Sequence, residues 1–165
     1  QLRRPQSPLQ RMRGRNQTVT PTTEALRALA SLLGAHRYAY TAEAELQATI
    51  DHVLRRDAYT VRREVSLTPS DRIDFLVCRW PNLTAKQRIE GRGGREDAAE
   101  STPILGVETK VAGNVAAIRR QVLRYLESDR VDGLLLLSNK FTHAAAVKAL
   151  GGAKPVMFCC IARAA

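Results

Sequence analysis

Cysteine is scarce in this sequence. Cys78, Cys159 and Cys160 make an odd set with no CxxC spacing, which excludes a disulfide framework and a zinc ribbon and fits a reducing cytoplasm. Histidine is as rare, and His36, His52 and His143 are too scattered to suggest a ligand cluster, so each reads as surface or satisfied core. No apolar run approaches the ~18 to 20 residues of a transmembrane helix. A soluble chain with no membrane partner is therefore expected. Aromatics make up 5% of the residues, with Trp80 and Tyr59 the main exposed candidates, so backbone and shape contacts are expected in preference to base stacking. A start methionine and a signal-peptide pattern are also missing, and Gln1 reads as the start of a truncated or processed chain.

Acid is in deficit. Lys+Arg 26 against Asp+Glu 16 gives a formal charge of +10, which favours a polyanion, either nucleic acid or an acidic surface. The basic residues are 21 Arg and 5 Lys. With so much alanine, that bias is also what a GC-rich coding sequence would produce without selection for phosphate binding, which weakens the inference from charge.

The 165 residues, 44% of them apolar, suit one compact domain with a tail. Residues 1–22 carry Arg3, Arg4, Arg11, Arg13 and Arg15, three prolines and no acid. That composition predicts a disordered basic arm, either phosphate-binding or merely solvated. A single domain over 23–165 follows, with a Gly- and charge-rich flexible insertion at about 80–102. Within it the patterns predict a helix from Thr23 to about Leu33, closed by Gly34, with Leu26, Leu29, Leu32 and Leu33 inward. A second helix, capped by Thr41, runs to about Arg56. TVRREVSL and RIDFLVCR read as an antiparallel hairpin about a Pro-Ser-Asp turn, and PILGVETKV as a strand. VAAIRRQVLRYLES has helical spacing with Val115, Ile118, Val122 and Leu126 as its core stripe. DGLLLLS predicts a strand buried on both faces, residues 143–150 a weak helix, and PVMFCCIA a last strand with its two cysteines buried.

Period two in the strand after Leu105 puts Glu108 and Lys110 on one face and Thr109 on the other. Asp74 lies in an otherwise apolar run, where a carboxylate needs a partner or a metal. If the strands pair as read, Asp74 and Glu108 converge on a hard divalent cation. On the second helix, roughly 100° per residue places Glu43 about 20° from Ile50 at the centre of the stripe and Glu45 about 140° away, so Glu43 faces inward. Gln121 and Tyr125 stand one turn apart beside the stripe of their helix. Taken singly, Glu108 and Lys110 also read as a surface ion pair, Asp74 as a structural acid paired to Arg72 or Arg62, and Gln121 and Tyr125 as helix surface. Glu64 reads as an ion-pair partner of a neighbouring arginine.

Glu43, Asp74, Glu108-Thr109-Lys110 and Gln121-x-x-x-Tyr125, in that order over about residues 41–140, resemble the PD-(D/E)xK nuclease superfamily, especially its RecB-like and archaeal Holliday-junction-resolvase-like branches. The resemblance implies an α/β fold with a restriction-endonuclease-like αβββαβ core, a mixed central sheet flanked by helices. It implies Mg²⁺ or Mn²⁺ held by Asp74, Glu108 and the Thr109 carbonyl, with Glu43 reaching the ion through water. Lys110 would position the attacking water, Gln121 would orient Lys110 or a phosphate, and Tyr125 would support the helix. Ile73 departs from the proline common before the first acid, and the insertion lengthens the approach to Glu108. The expected activity is DNA endonuclease cleavage in repair, recombination, or restriction and mobile-element biology, with RNA left open and a homodimer compatible. Arg62, Arg63, Arg119, Arg120, Arg124 and Tyr125 are the candidate nucleic-acid contacts. The alternative is a catalytically silent nucleic-acid-binding or packaging module on the same fold. The setting is cytoplasmic, on the nucleoid if the source is bacterial.

Overall fold

The computed structural model describes residues 20–79 and 102–164. The expected arm, except for Thr20 to Thr22, and the expected insertion, except for Thr102, lie outside the described residues, as does Trp80.

Helix α1 spans Pro21–Gly34, starting slightly before the predicted helix start at Thr23. Thr20 explains this: its side chain accepts from the Thr23 N–H, and Pro21 at the first helical position needs no donor partner. Strand β1 (Arg37–Tyr38) leads into α2 (Glu43–Arg56), followed by β2 (Tyr59–Ser66), β3 (Arg72–Arg79) and β4 (Leu105–Lys110). Then come α3 (Val115–Glu127), β5 (Gly133–Ser138), a 3-10 helix (Phe141–Ala146), β6 (Val156–Cys160) and β7 (Ala162–Arg163). The predicted helix at 143–150 is thus a shorter and tighter element that starts earlier. The β1–β7 pair, a short parallel contact, was not foreseen.

The fold is mixed α/β. Five strands form one mixed sheet in the order β2-β3-β4-β5-β6, antiparallel through β4 and parallel from β4 to β6. Leu26, Leu29, Leu33, Leu46, Ile50 and Leu54 of α1 and α2 bury one face against Phe75, Val77, Val107, Leu135 and Leu137. Ile118, Val122 and Tyr125 of α3 cover the other against Leu76, Leu134 and Leu136. Each fully buried Leu or Ile contributes about 1.5–3 kcal/mol, so the two faces together dominate stability. All six residues of β5 are buried, as its continuous apolar run requires. Cys159 is buried as expected but Cys160 is exposed, because successive residues of an edge strand point to opposite sides.

The hairpin rolls over halfway along. Val61 packs with α1 and α2 while Val65, of the same parity, packs with α3; Phe75 and Ile73 divide in the same way. Glu64 lies between, at φ 51°, and the Glu64/Asp74 pair is missing from an otherwise regular ladder. A left-handed residue breaks the alternation and lets one strand serve both cores. Asp74 stands at this turnover. At the centre of the sheet Gly106 has no room for a side chain, since a Cβ would lie 2.6 Å from Ile73 Cδ1. Among the described residues no helix is long and apolar enough to cross a membrane.

Candidate metal centre and groove

The adjacent strands β3 and β4 bring Asp74 and Glu108 together. Asp74 N–H donates to Glu108 Oε2 at 3.4 Å, and the Thr109 N–H and hydroxyl both donate to Asp74 Oδ2, at 2.7 and 2.5 Å. Lys110 Nζ lies 2.5 Å from Glu108 Oε1. The anticipated Arg72 partner for Asp74 pairs instead with Glu64, at 2.8 Å. Arg72 and Glu64 project where the ladder opens, whereas Asp74 turns toward β4.

Glu108 is 2% exposed. Burial pushes its carboxyl up to about 7, the negative charge of Asp74 adds to that, and Lys110 offsets only part. Burial also raises Asp74, helped by Glu64 and opposed by Thr109 and Lys110. Burial alone would lower Lys110, but Glu108, Asp74 and Glu43 hold it above its ordinary value. Two carboxylates forced together out of water form a pair whose repulsion a cation relieves.

Helix α2 sorts its glutamates by their bonds. Ala42, not Thr41, occupies the N-cap position and makes no side-chain cap bond. Thr41 instead donates its N–H and hydroxyl to Glu45 Oε2, at 2.7 and 2.9 Å, which keeps Glu45 outside. Glu43 is half-buried and close enough to Lys110 to act on its charge. One turn on, buried Gln47 donates to Thr109 Oγ1 at 3.2 Å, joining α2 to the Thr109–Asp74 contact. Gln47 was not foreseen. Its signal was available, because it lies about 60° from Ile50 on the helical wheel, a polar residue inside an apolar stripe.

On α3 the inward stripe is Ile118, Val122 and Tyr125, with Val115 and Leu126 only partly buried. Tyr125 is 0% exposed and its hydroxyl donates to the Arg72 carbonyl at 2.6 Å. A ring enclosed this way offers no face to nucleic acid, so that expected contact is corrected to a support. Gln121 Nε2 donates to Tyr125 Oη at 2.5 Å. The charges of Glu108 and Asp74 both act on the Tyr125 hydroxyl, which burial raises above its ordinary range.

Beside the carboxylates an open groove of about 460 Å³ runs between the end of β4 and α3, lined by Lys110, Gln121, Arg120 and Arg124 among others. Arg120 is exposed and belongs to it fully. Arg124 also pairs with buried Asp71 at 2.8 Å, fastening α3 to the β2–β3 turn. Arg119 is turned to the Lys148 carbonyl at 3.0 Å and does not line the groove. Arg63 stacks over Phe75 at 5.8 Å from the ring centre. Arg62 is half-buried on β2 and engaged there, and neither β2 arginine lines the groove. Among the described residues, the groove with Arg120 is thus a basic surface adjoining the site.

Among the described residues no three His, Cys, Asp or Glu side chains gather as a metal-ligand group. A cation here would rely on the Asp74 and Glu108 carboxylates, a main-chain oxygen and water. Mg²⁺, which keeps several waters and takes one or two carboxylates, accepts such a set. The chain matches no protein-family model, and neither a curated protein nor a solved structure matches it.

Proposed function

We propose that this protein is a metal-dependent DNA endonuclease of the PD-(D/E)xK type, acting in repair, recombination, or restriction and mobile-element biology. One observation carries the reading: two adjoining carboxylates, buried Glu108 and half-buried Asp74, share a site with the Lys110 ammonium at the mouth of a groove edged by Arg120 and Arg124. The order α2-β2-β3-β4-α3-β5 agrees with the αβββαβ core of that superfamily. Its sheet, antiparallel on one side and parallel on the other, agrees as well.

Asp74, Glu108 and the Thr109 carbonyl would hold Mg²⁺ or Mn²⁺, with Glu43 at water's distance. The ion supplies a water activated near neutral pH and neutralises charge on the phosphate oxygens. Thr109 fixes Asp74 through two donors, and Gln47 fixes Thr109, so the carboxylate is held before substrate arrives. Lys110, oriented by Glu108, directs the attacking water and stabilises the phosphate in the transition state. Gln121, anchored on Tyr125, uses the rest of its amide to orient Lys110 or a phosphate. Arg120 and Arg124 take flanking phosphates, which fixes register without reading sequence. A homodimer would cut both strands.

The test is cleavage of labelled linear duplex, flap, single-stranded and four-way-junction DNA with Mg²⁺, Mn²⁺ or EDTA. Cutting should require metal and fall by about 10² or more in Asp74→Ala and in Lys110→Ala. Tight binding with no metal-dependent cutting would assign the protein to a silent nucleic-acid-binding or packaging role instead.

A further inference from the structure

The hydrogen bonds at the end of β5 bear on Lys110. Ser138 closes strand β5 after four consecutive leucines and is fully buried. Its hydroxyl donates to the Lys110 main-chain carbonyl at 2.6 Å and accepts from the Lys140 N–H at 3.0 Å. His143, 2% exposed, lies with Nδ1 at 2.8 Å from Ser138 Oγ and Nε2 at 3.2 Å from the Gly113 carbonyl. Gly113 has φ 110°, a conformation that suits glycine alone, and it makes the turn between Lys110 and α3.

We propose that Ser138 and His143 are positioning residues for Lys110, a buried pair that fixes where the lysine leaves β4 and how the Gly113 turn carries the chain into α3. The proposal rests on the nuclease reading for its catalytic consequence, though not for its geometry. Ser138 clamps the main chain of Lys110. His143 braces Ser138 on one side and the turn on the other, so a single ring ties both ends of the segment from Lys110 to Gly113. A hydroxyl has one proton to give, and Ser138 gives it to Lys110, since a carbonyl only accepts. His143 must then donate from Nδ1 to Ser138 and from Nε2 to Gly113, or give up one of these bonds. Side chains at a site act only when their supporting groups hold them within a fraction of an ångström, and this pair is that support.

Two readouts on the intact protein test it. Lysine labelled with ¹³C at Cε gives few signals, because the chain has five lysines, and Lys110→Arg assigns the one of interest. In Ser138→Ala and His143→Ala the Lys110 signal should move toward that of a solvated lysine, while Ser138→Thr, which keeps the hydroxyl, should restore it. In the cleavage assay kcat should fall by roughly 10- to 100-fold with KM within about twofold. His143→Gln and His143→Asn, each supplying one of the two donors, should fall between wild type and His143→Ala. A Lys110 signal unmoved in folded Ser138→Ala, or an unchanged kcat, would overturn the proposal. If the alanine variants do not fold, His143→Gln and His143→Asn against wild type decide the question: a shifted Lys110 signal supports the proposal, and signals in both variants indistinguishable from wild type overturn it. If wild type cuts nothing, the nuclease reading fails while the lysine signals still decide the positioning role.

Discussion

Glu108 carries the most consequential burden of any single side chain. Its carboxyl is held near 7 by burial and by Asp74, so without a cation its contribution to stability is fully present below the ordinary value of about 4.5 and is lost as pH rises through about 7. On the proposed reading a divalent cation would restore what ionisation costs, with proton and ion competing for the same oxygens. The melting temperature with saturating Mg²⁺ should therefore exceed that in EDTA by more at pH 8 than at pH 5, with the gain absent in Asp74→Ala at either pH. An equal gain at both pH values would remove Glu108 as a ligand. Gln47 makes a second case. Gln47→Leu fits the buried stripe but frees the Thr109 hydroxyl, and it should lower cleavage while leaving the melting temperature within about 2–4 °C, the equivalent of 1 kcal/mol in a domain of this size.

At the scale of elements, the rollover of the hairpin is the feature that residue patterns did not reveal. Alternation predicts one face for Val61 and Val65, yet a single left-handed residue sends them to opposite cores. A valine at position 64 is poorly suited to φ 51°, so Glu64→Val should cost about 1–2 kcal/mol in chemical denaturation whereas Glu64→Gly should cost less. Equal losses would show that the Arg72 pair, not the backbone, is what Glu64 contributes. Gly106→Ala should cost about 1–3 kcal/mol because Ile73, Leu134 and Val131 already surround the space.

Local pattern revealed α2, α3 and the strands because burial repeats along each of them, and it separated Glu43 from Glu45. It misassigned Leu126 and Tyr125 because the inward turn of Tyr125 is settled by one distant acceptor, the Arg72 carbonyl. It passed over Ser138 and His143 because their bonds run to the other side of the β4–β5 pair. Contacts spanning that much sequence leave little trace in any window of residues.

Over the whole molecule, the proposed nuclease reading makes charge the determinant of behaviour toward DNA. Binding should weaken linearly in log–log terms as salt rises, and Arg120→Ala should reduce that slope by about one, uniformly across sequences. Arg124→Ala should do the same and also lower stability, since it releases Asp71, whose carboxyl the Arg124 bond holds below its ordinary range. That part of the stability is present at neutral pH and is lost as pH falls through the depressed value. A slope unchanged by Arg120→Ala would move the binding surface away from the groove.

The hairpin turnover at Glu64 and Asp74 has one more consequence, for how such a protein can change over time. One end of β2 and β3 packs with α1 and α2 and the other with α3, and the acids lie near the seam. Each core can therefore drift toward new packing on its own side, as two rooms sharing a doorway can be refurnished separately while the doorway stays where it is.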